Sequence, residues 1–181
     1  YISTGNVNGR KITGNDGGYE YNHRPSRANL EIASDESVLF AKMKDSIKVI
    51  KSTSKLTDKL FSTGFIQLLP ENMNQEFLVQ ILISEKFEQV KSKLATGTTQ
   101  EAITMGDLSH ITIPYPPMAE QNRIASLLYT VDEMIACTQR SCEEHEQLKQ
   151  GLMQDLLTGT VRTPKSLQVS LDVVQRSTVA E

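Results

Sequence analysis

The side chains best suited to chemistry lie near the start of the chain. Asn6, Asn8, Arg10, Lys11, Asn15, Asn22, His23, Arg24, Ser26 and Arg27 are interleaved there with Gly5, Gly9, Gly14, Gly17 and Gly18. Amides, guanidinium groups and ammonium groups are the types that pair with base edges and phosphate oxygens. A good bidentate pair discriminates between bases by about 1–3 kcal/mol, so two or three such contacts suffice for a short half-site. The ordinary alternative is that Asn and Gly favour turns and Arg favours solvent, whatever the protein does.

Two later segments carry the same types. In an extended strand Lys42, Lys44 and Lys48 share one face by even spacing, a row fitted to track a phosphate backbone or to protect a sheet edge. Thr96-Gly97-Thr98-Thr99-Gln100 places a glycine among hydroxyl and amide donors, which suits either close approach to DNA or capping of the helix expected over residues 87–94. No catalytic pattern accompanies them. Gly14 with Gly17-Gly18 has neither the spacing nor the strand-to-helix context of a nucleotide-binding loop, so no cofactor is expected. Tyr115-Pro116-Pro117-Met118 lacks the Asn or Asp and the following ring of amino-methyltransferases, and His23, His110 and His145 have no nucleophile or carboxylate at a recognisable spacing. Cys142, His145 and Glu146 fall on neighbouring helical turns, but they read as seam residues and no metal is expected. Cys137 and Cys142 are separated by about 140° around a helix, which argues against a disulfide between them.

Elements that would position these residues follow from periodicity. Strand-like runs at 38–41, 47–50 and 64–69 alternate with polar stretches, and Ile111 to Ile113 read as a last strand. Phe77, Leu78, Ile81, Leu82, Phe87, Val90 and Leu94 suit helices packed on the sheet. Pro114, Pro116 and Pro117 then deny the backbone donors and torsions needed to continue either element. Beyond them a helix is predicted from about Ala119 to Leu157, roughly 58 Å at about 1.5 Å per residue. Glu120 complements its positive end. Its seam runs through Ile124, Leu127, Leu128, Val131, Met134 and Ile135, turns polar at Thr138, Ser141 and Cys142, and becomes apolar again at Leu148, Leu152 and Leu156. An arm of that length and pattern requires a partner helix.

Several of these residues also resemble a known family. Ile113-Pro114-Tyr115-Pro116-Pro117, Glu120-Gln121, Arg123-Ile124-Ala125, Leu148-Lys149, Gly151-Leu152-Met153 and Leu156-Leu157-Thr158-Gly159 with Val161-Arg162 resemble the DNA specificity subunit of type I restriction-modification systems. Thr4-Gly5-Asn6-Val7, Val38 to Met43, Ser62-Thr63-Gly64-Phe65 and Ala95 to Gln100 resemble strands and turns of that family's target recognition domains, so the similarity covers residues 1–162.

The resemblance implies a fold of class α+β: a small, mixed, strand-rich target recognition domain over 1–118, a long helix over 119–160 forming an antiparallel coiled coil, and a tail over 161–181. It implies a non-catalytic reader of double-stranded DNA that takes one part of a bipartite target. Its partners would be an adenine methyltransferase subunit, a translocating restriction subunit, and a second copy or second half of the specificity subunit. DNA contacts are expected among Asn6, Asn8, Arg10, Lys11, Asn22, His23, Arg24, Arg27, Lys42, Lys44, Thr98, Thr99 and Gln100. Helix pairing is expected through Ile124, Leu127, Leu128, Val131, Met134, Ile135, Leu148, Leu152 and Leu156. Two alternatives stay open: a coiled-coil assembly module without DNA specificity, and the recognition region of a fused restriction and methylation enzyme.

Composition is permissive. The 181 residues are 38% hydrophobic and 23% charged with a net charge of −3, enough for one moderate core. Residues 1–60 hold ten Lys and Arg against seven Asp and Glu, while the rest holds nine against fifteen, so any basic face lies in the front. No apolar run reaches membrane-spanning length and no leader pattern is visible, so a cytoplasmic protein is expected. The chain begins with Tyr1 inside what reads as a strand, so the natural start is expected to lie upstream or to have been removed. Leu167, Val169, Leu171 and Val173 alternate as in a short strand, which either completes a neighbouring copy or belongs to a flexible terminus.

Overall fold

The structure, a computed structural model, describes residues 1–18, 23–97 and 101–163. The expectations placed on Asn22, Thr98, Thr99, Gln100 and residues 164–181 lie outside the described residues.

The chain folds as a mixed α+β protein. Its centre is β4 (Val38–Ala41), the four-residue run Val-Leu-Phe-Ala, every residue of which is buried. It lies between β5 (Val49–Lys51) and β7 (Phe65–Leu68), antiparallel to both. Register is direct: Phe40 pairs with Val49 on one side and with Ile66 on the other. Because successive side chains of a strand point to opposite faces, β4 feeds two cores. Val38 and Phe40 pack with Val49, Ile66, Leu78, Val79, Leu82 and Phe87 on the helical side. Leu39 and Ala41 pack with Ile50, Phe61, Phe65, Ile2 and Val7 on the other. A strand covered on both faces reads as an unbroken apolar run, which is the pattern at residues 38–41.

The second face is closed by β3 (Ala28–Glu31) paired with β6 (Leu60–Ser62), and by the hairpin of β1 (Val7–Asn8) and β2 (Lys11–Ile12). Ile2 adds one parallel bridge to Phe61. The β6–β7 turn needs Gly64, since a Cβ there would stand 2.9 Å from Thr4 Cγ2. The helical face is α1 (Gln75–Ile83) and α2 (Glu85–Leu94), divided by Ser84. Its hydroxyl donates to the Ile81 carbonyl at 2.6 Å and accepts from the Phe87 amide at 3.3 Å, so one residue ends the first helix and caps the second. Phe87 then meets Phe40 edge to face with ring centres 5.5 Å apart.

Two expectations change. Ile111 to Ile113 do not form a strand; no ladder is offered there, and Ile111 and Ile113 pack instead against the helical core. The lysine row also dissolves. The strand ends at Ala41, Asp45 takes a left-handed φ of 54°, and the chain reverses before Lys48, whose ammonium reaches the Thr4 carbonyl at 2.7 Å. Lys42, Lys44 and Lys48 therefore share no strand face.

Helix α3 runs from Met118–Leu157. Contacts group residues Tyr1–Val131 as one unit and begin a second at Asp132. Within the first, Gln121 and Ala125 are buried. None of the described helices is long and apolar enough to cross a membrane.

Candidate nucleic-acid interface

The β4–β5 connection is braced by backbone hydrogen bonds from the segment that follows α2. Lys44 N–H donates to the Glu101 carbonyl at 2.9 Å, Ile103 N–H donates to the Lys42 carbonyl at 3.0 Å, and Met43 bridges Ala102 antiparallel. Ala102 in turn exchanges two 3.1 Å hydrogen bonds with Thr96. Residues 42–44, 101–103 and 96 thus form a short ladder that ties the lysine loop to both flanks of the Thr-Gly-Thr-Thr-Gln segment.

Beside it lies an open groove of about 460 Å³ with an apolar floor of Leu30, Phe65 and Ile103 and a rim including Lys42, Thr63 and Met105. Thr63 N–H donates to the Arg27 carbonyl at 2.9 Å, which brings the start of β3 to the same rim. Met105 is 63% exposed. It sits on a turn closed by Asp107, whose carboxylate accepts from the Thr104 amide at 2.7 Å and hydroxyl at 2.8 Å. The amide bond, then the hydroxyl bond, holds the Asp107 carboxyl below the ordinary carboxylate range.

Charge is neutralised unevenly among the expected contacts. Lys44 forms an ion pair with Glu101, whose hydrogen bond raises the ammonium pKa. Arg10 pairs with Glu76, a buried carboxylate that also holds Lys51 at 3.4 Å. Arg24 donates to Asn29 at 3.0 Å. Asn6 accepts from the Ser3 amide and hydroxyl at 2.9 Å and donates to Asp16 at 3.2 Å, so its amide organises the first turn. Bonds from Ser3 first, then Asn6, keep the Asp16 carboxyl low. Arg27, Lys42, Lys11 and Asn8 make no side-chain hydrogen bond or ion pair to another described residue, and all but the half-buried Lys42 are exposed. His23 is exposed as well.

The expected cluster is therefore not one patch. The hairpin turn carrying Arg10 docks on β5 through Val49 N–H and the Gly9 carbonyl at 3.0 Å, and on α1 through Glu76. Lys42 lines the groove, and the backbone of Arg27 is bonded to Thr63 of its rim.

Gln121 was missed by reasoning from residue types. Its carbonyl oxygen accepts from the Asn74 amide at 2.9 Å and its NH₂ donates to the Pro116 carbonyl at 2.8 Å, while Asn74 donates to Asn122 at 2.8 Å. The signal was a polar residue four positions before Ala125, on the side of the helix that turns inward. Tyr115 adds a hydrogen bond to the Asn72 carbonyl at 2.8 Å. These bonds register the start of α3 against the start of α1.

Farther along α3 the seam is uncovered. Leu127, Val131, Met134, Ile135, Leu148, Leu152 and Leu156 are all exposed, Leu127 and Met134 by about two thirds, while Leu128 is marginally so and Ile124 is half-buried.

Comparison with known proteins decides what this combination is. Residues 2–147 match the family model described as the type I restriction modification DNA specificity domain. The chain belongs to that family. The type I restriction enzyme MjaVIII specificity subunit of Methanocaldococcus jannaschii is 30% identical over 134 residues, 74% of this chain and 31% of that protein. The putative MjaX specificity subunit of the same organism is 35% identical over 92 residues, 49% of this chain and 22% of that protein. The HsdS subunit from Thermoanaerobacter tengcongensis matches over 93% of this chain and 44% of that structure, at 26% identity and a TM-score of 0.67. The specificity chain thus spans a third or less of its curated relatives and under half of that solved neighbour. Strand-rich sheets followed by one long helix are common to this chain and that neighbour.

Proposed function

We propose that this chain reads one part of a split DNA sequence as a target recognition domain, and that α3 is the spacer that pairs antiparallel with a second helix. The observation that carries the reading is the groove rim, where Lys42 keeps its charge unneutralised beside an apolar floor and the strut of residues 101–103, with the backbone of the unneutralised Arg27 bonded to Thr63 of the same rim. Cations of this kind supply phosphate contacts, and the rim hydroxyl of Thr63 and the thioether of Met105 offer groups of the types that meet base edges. Lys11, Asn8 and His23 are secondary contacts on this reading. Arg10, Lys44 and Asn6 act mainly by holding loops, because their polar groups are already engaged.

The bare seam supports the helical half of the proposal. Exposed apolar residues recurring at heptad spacing on one helix are stable in water only when another helix covers them. The partner is a second copy or a second half of the specificity subunit, and two-fold pairing of copies predicts an inverted, split target. An adenine methyltransferase subunit and a restriction subunit would supply the chemistry in the cytoplasm, with this chain carrying no catalytic residue.

Selection of bound sites from a random duplex library by the purified chain, with its solution mass measured in parallel, tests both halves. Two inverted half-sites at fixed spacing with a dimeric mass are expected. A folded chain that enriches nothing, alone or with its methyltransferase subunit, would favour a pairing module without DNA specificity.

A further inference from the structure

One buried cation is left unused by this reading. Lys91 of α2 is 2% exposed at its side chain, on the helical side of the domain, where an ammonium group is costly unless every proton finds a partner. Two backbone carbonyls accept from it and one carboxylate pairs with its charge. Glu88 lies at 2.6 Å, the Ser46 carbonyl at 2.8 Å and the Ala41 carbonyl at 3.4 Å. Ala41 is the last residue of β4 and Ser46 is the last residue of the reversing turn, so a single ammonium clasps both stems of the loop that carries Lys42 and Lys44. One residue on, the Ser92 hydroxyl donates to the Asp45 carboxylate at 3.4 Å, at the position whose left-handed φ makes the reversal. A methionine of similar length would fill the same volume, so packing alone does not explain a cation here.

We infer that Lys91 is a positioning residue for target discrimination: by clasping residues 41 and 46 it sets where Lys42 stands at the groove and, through the ladder 42–44/101–103/96, where Thr96 and Ala102 stand. The inference rests on the proposed reading of the groove, and it adds a residue that touches no DNA yet decides which sequence is preferred. Direct contacts discriminate only when their donors are held within a fraction of an ångström, so a loosened stem lowers discrimination before it lowers phosphate binding.

The test compares the full chain with Lys91→Met and Lys91→Arg in library selection, followed by competition between the selected duplex and a random duplex of equal length. For Lys91→Met a fall of about tenfold or more in the ratio of selected to random affinity is expected, with random-duplex binding and its salt dependence within about twofold. Lys91→Arg, which keeps a cation able to donate to more than one carbonyl, should recover more of the ratio than Lys91→Met. Equal losses on both duplexes, or an unchanged ratio in a folded Lys91→Met protein, would overturn the inference while leaving the DNA-reading proposal standing. A wild-type chain with no preference would instead remove that proposal and this inference together. Should Lys91→Met not fold, Lys91→Gln removes the charge and cannot hold both carbonyls at once; an unchanged ratio there also overturns the inference.

Discussion

Helices α1 and α2 and the exposed part of α3 carry similar apolar spacing with opposite outcomes. In the first pair Phe77, Leu78, Val79, Leu82 and Phe87 are buried against the sheet. In α3, Leu127, Met134, Leu148 and Leu157 stand in solvent. Periodicity specifies which face of a helix is apolar; it does not specify what covers that face. The short helices find their cover within their own domain, because β4 presents Val38 and Phe40 to them. Among the described residues α3 finds such cover at its first turns only, through Gln121 and Ala125. An uncovered stripe is the mark of an interface, and on the proposed reading it is the surface through which this chain pairs with a second helix.

The sharpest way to break this contrast is truncation on each side of it. Phe40→Ala should cost the domain about 3–5 kcal/mol, a collapse visible in thermal unfolding. Leu127→Ala should change the monomer by about 0.5 kcal/mol or less; a loss as large as that of Phe40→Ala would mean the seam is already covered. The double change Val131→Glu, Ile135→Glu should weaken helix pairing by about tenfold or more, read as a shift to monomer in solution mass, with the domain's unfolding midpoint unchanged. Gln121→Ala leaves the Asn74 amide and the Pro116 carbonyl without their partner and should destabilise the junction by about 1–3 kcal/mol, with hydrogen exchange rising at the start of α1 and α3.

Smaller effects sharpen the reading of the groove. Arg27→Ala with Lys42→Ala should reduce the slope of log affinity against log salt by about 2, whereas Lys44→Ala, whose charge Glu101 already balances, should change it less. The smallest effect is on pH. Asp107 has a depressed pKa, so its contribution to the Thr104–Asp107 turn is complete above the ordinary carboxylate value of 3.8 and fades as acid carries the pH below it through the folded value. The amide of Thr104 should therefore lose protection only in acid below that point, and Asp107→Asn should abolish the pH dependence.

Much of the fold was legible. The run at residues 38–41, the helices over 75–94 and the proline stop before α3 all follow from local rules of backbone and side-chain shape. Strand β5 begins at Val49 and leaves Ile47 exposed, and residues 111–113 form no strand, because pairing requires a neighbour that composition cannot reveal. The candidate site was less legible. Residue type nominated Arg10, Lys42 and Lys44 equally, while Glu76 and Glu101 neutralise the first and last from 66 and 57 positions away. Lys91, in a helix of otherwise ordinary charge pattern, gave no sign of burial.

By itself the sequence determined the buried run at residues 38–41, the helices over 75–94, the rigid break at the prolines and the apolar stripe of α3, because these depend on neighbours within a few positions and on the periods 2 and 3.6. Only the tertiary structure decided which cations are spent inside the domain and which face outward, which loop a buried ammonium clasps, and where the apolar stripe passes from covered to bare. Those outcomes depend on pairings across dozens of residues, where no local period carries information.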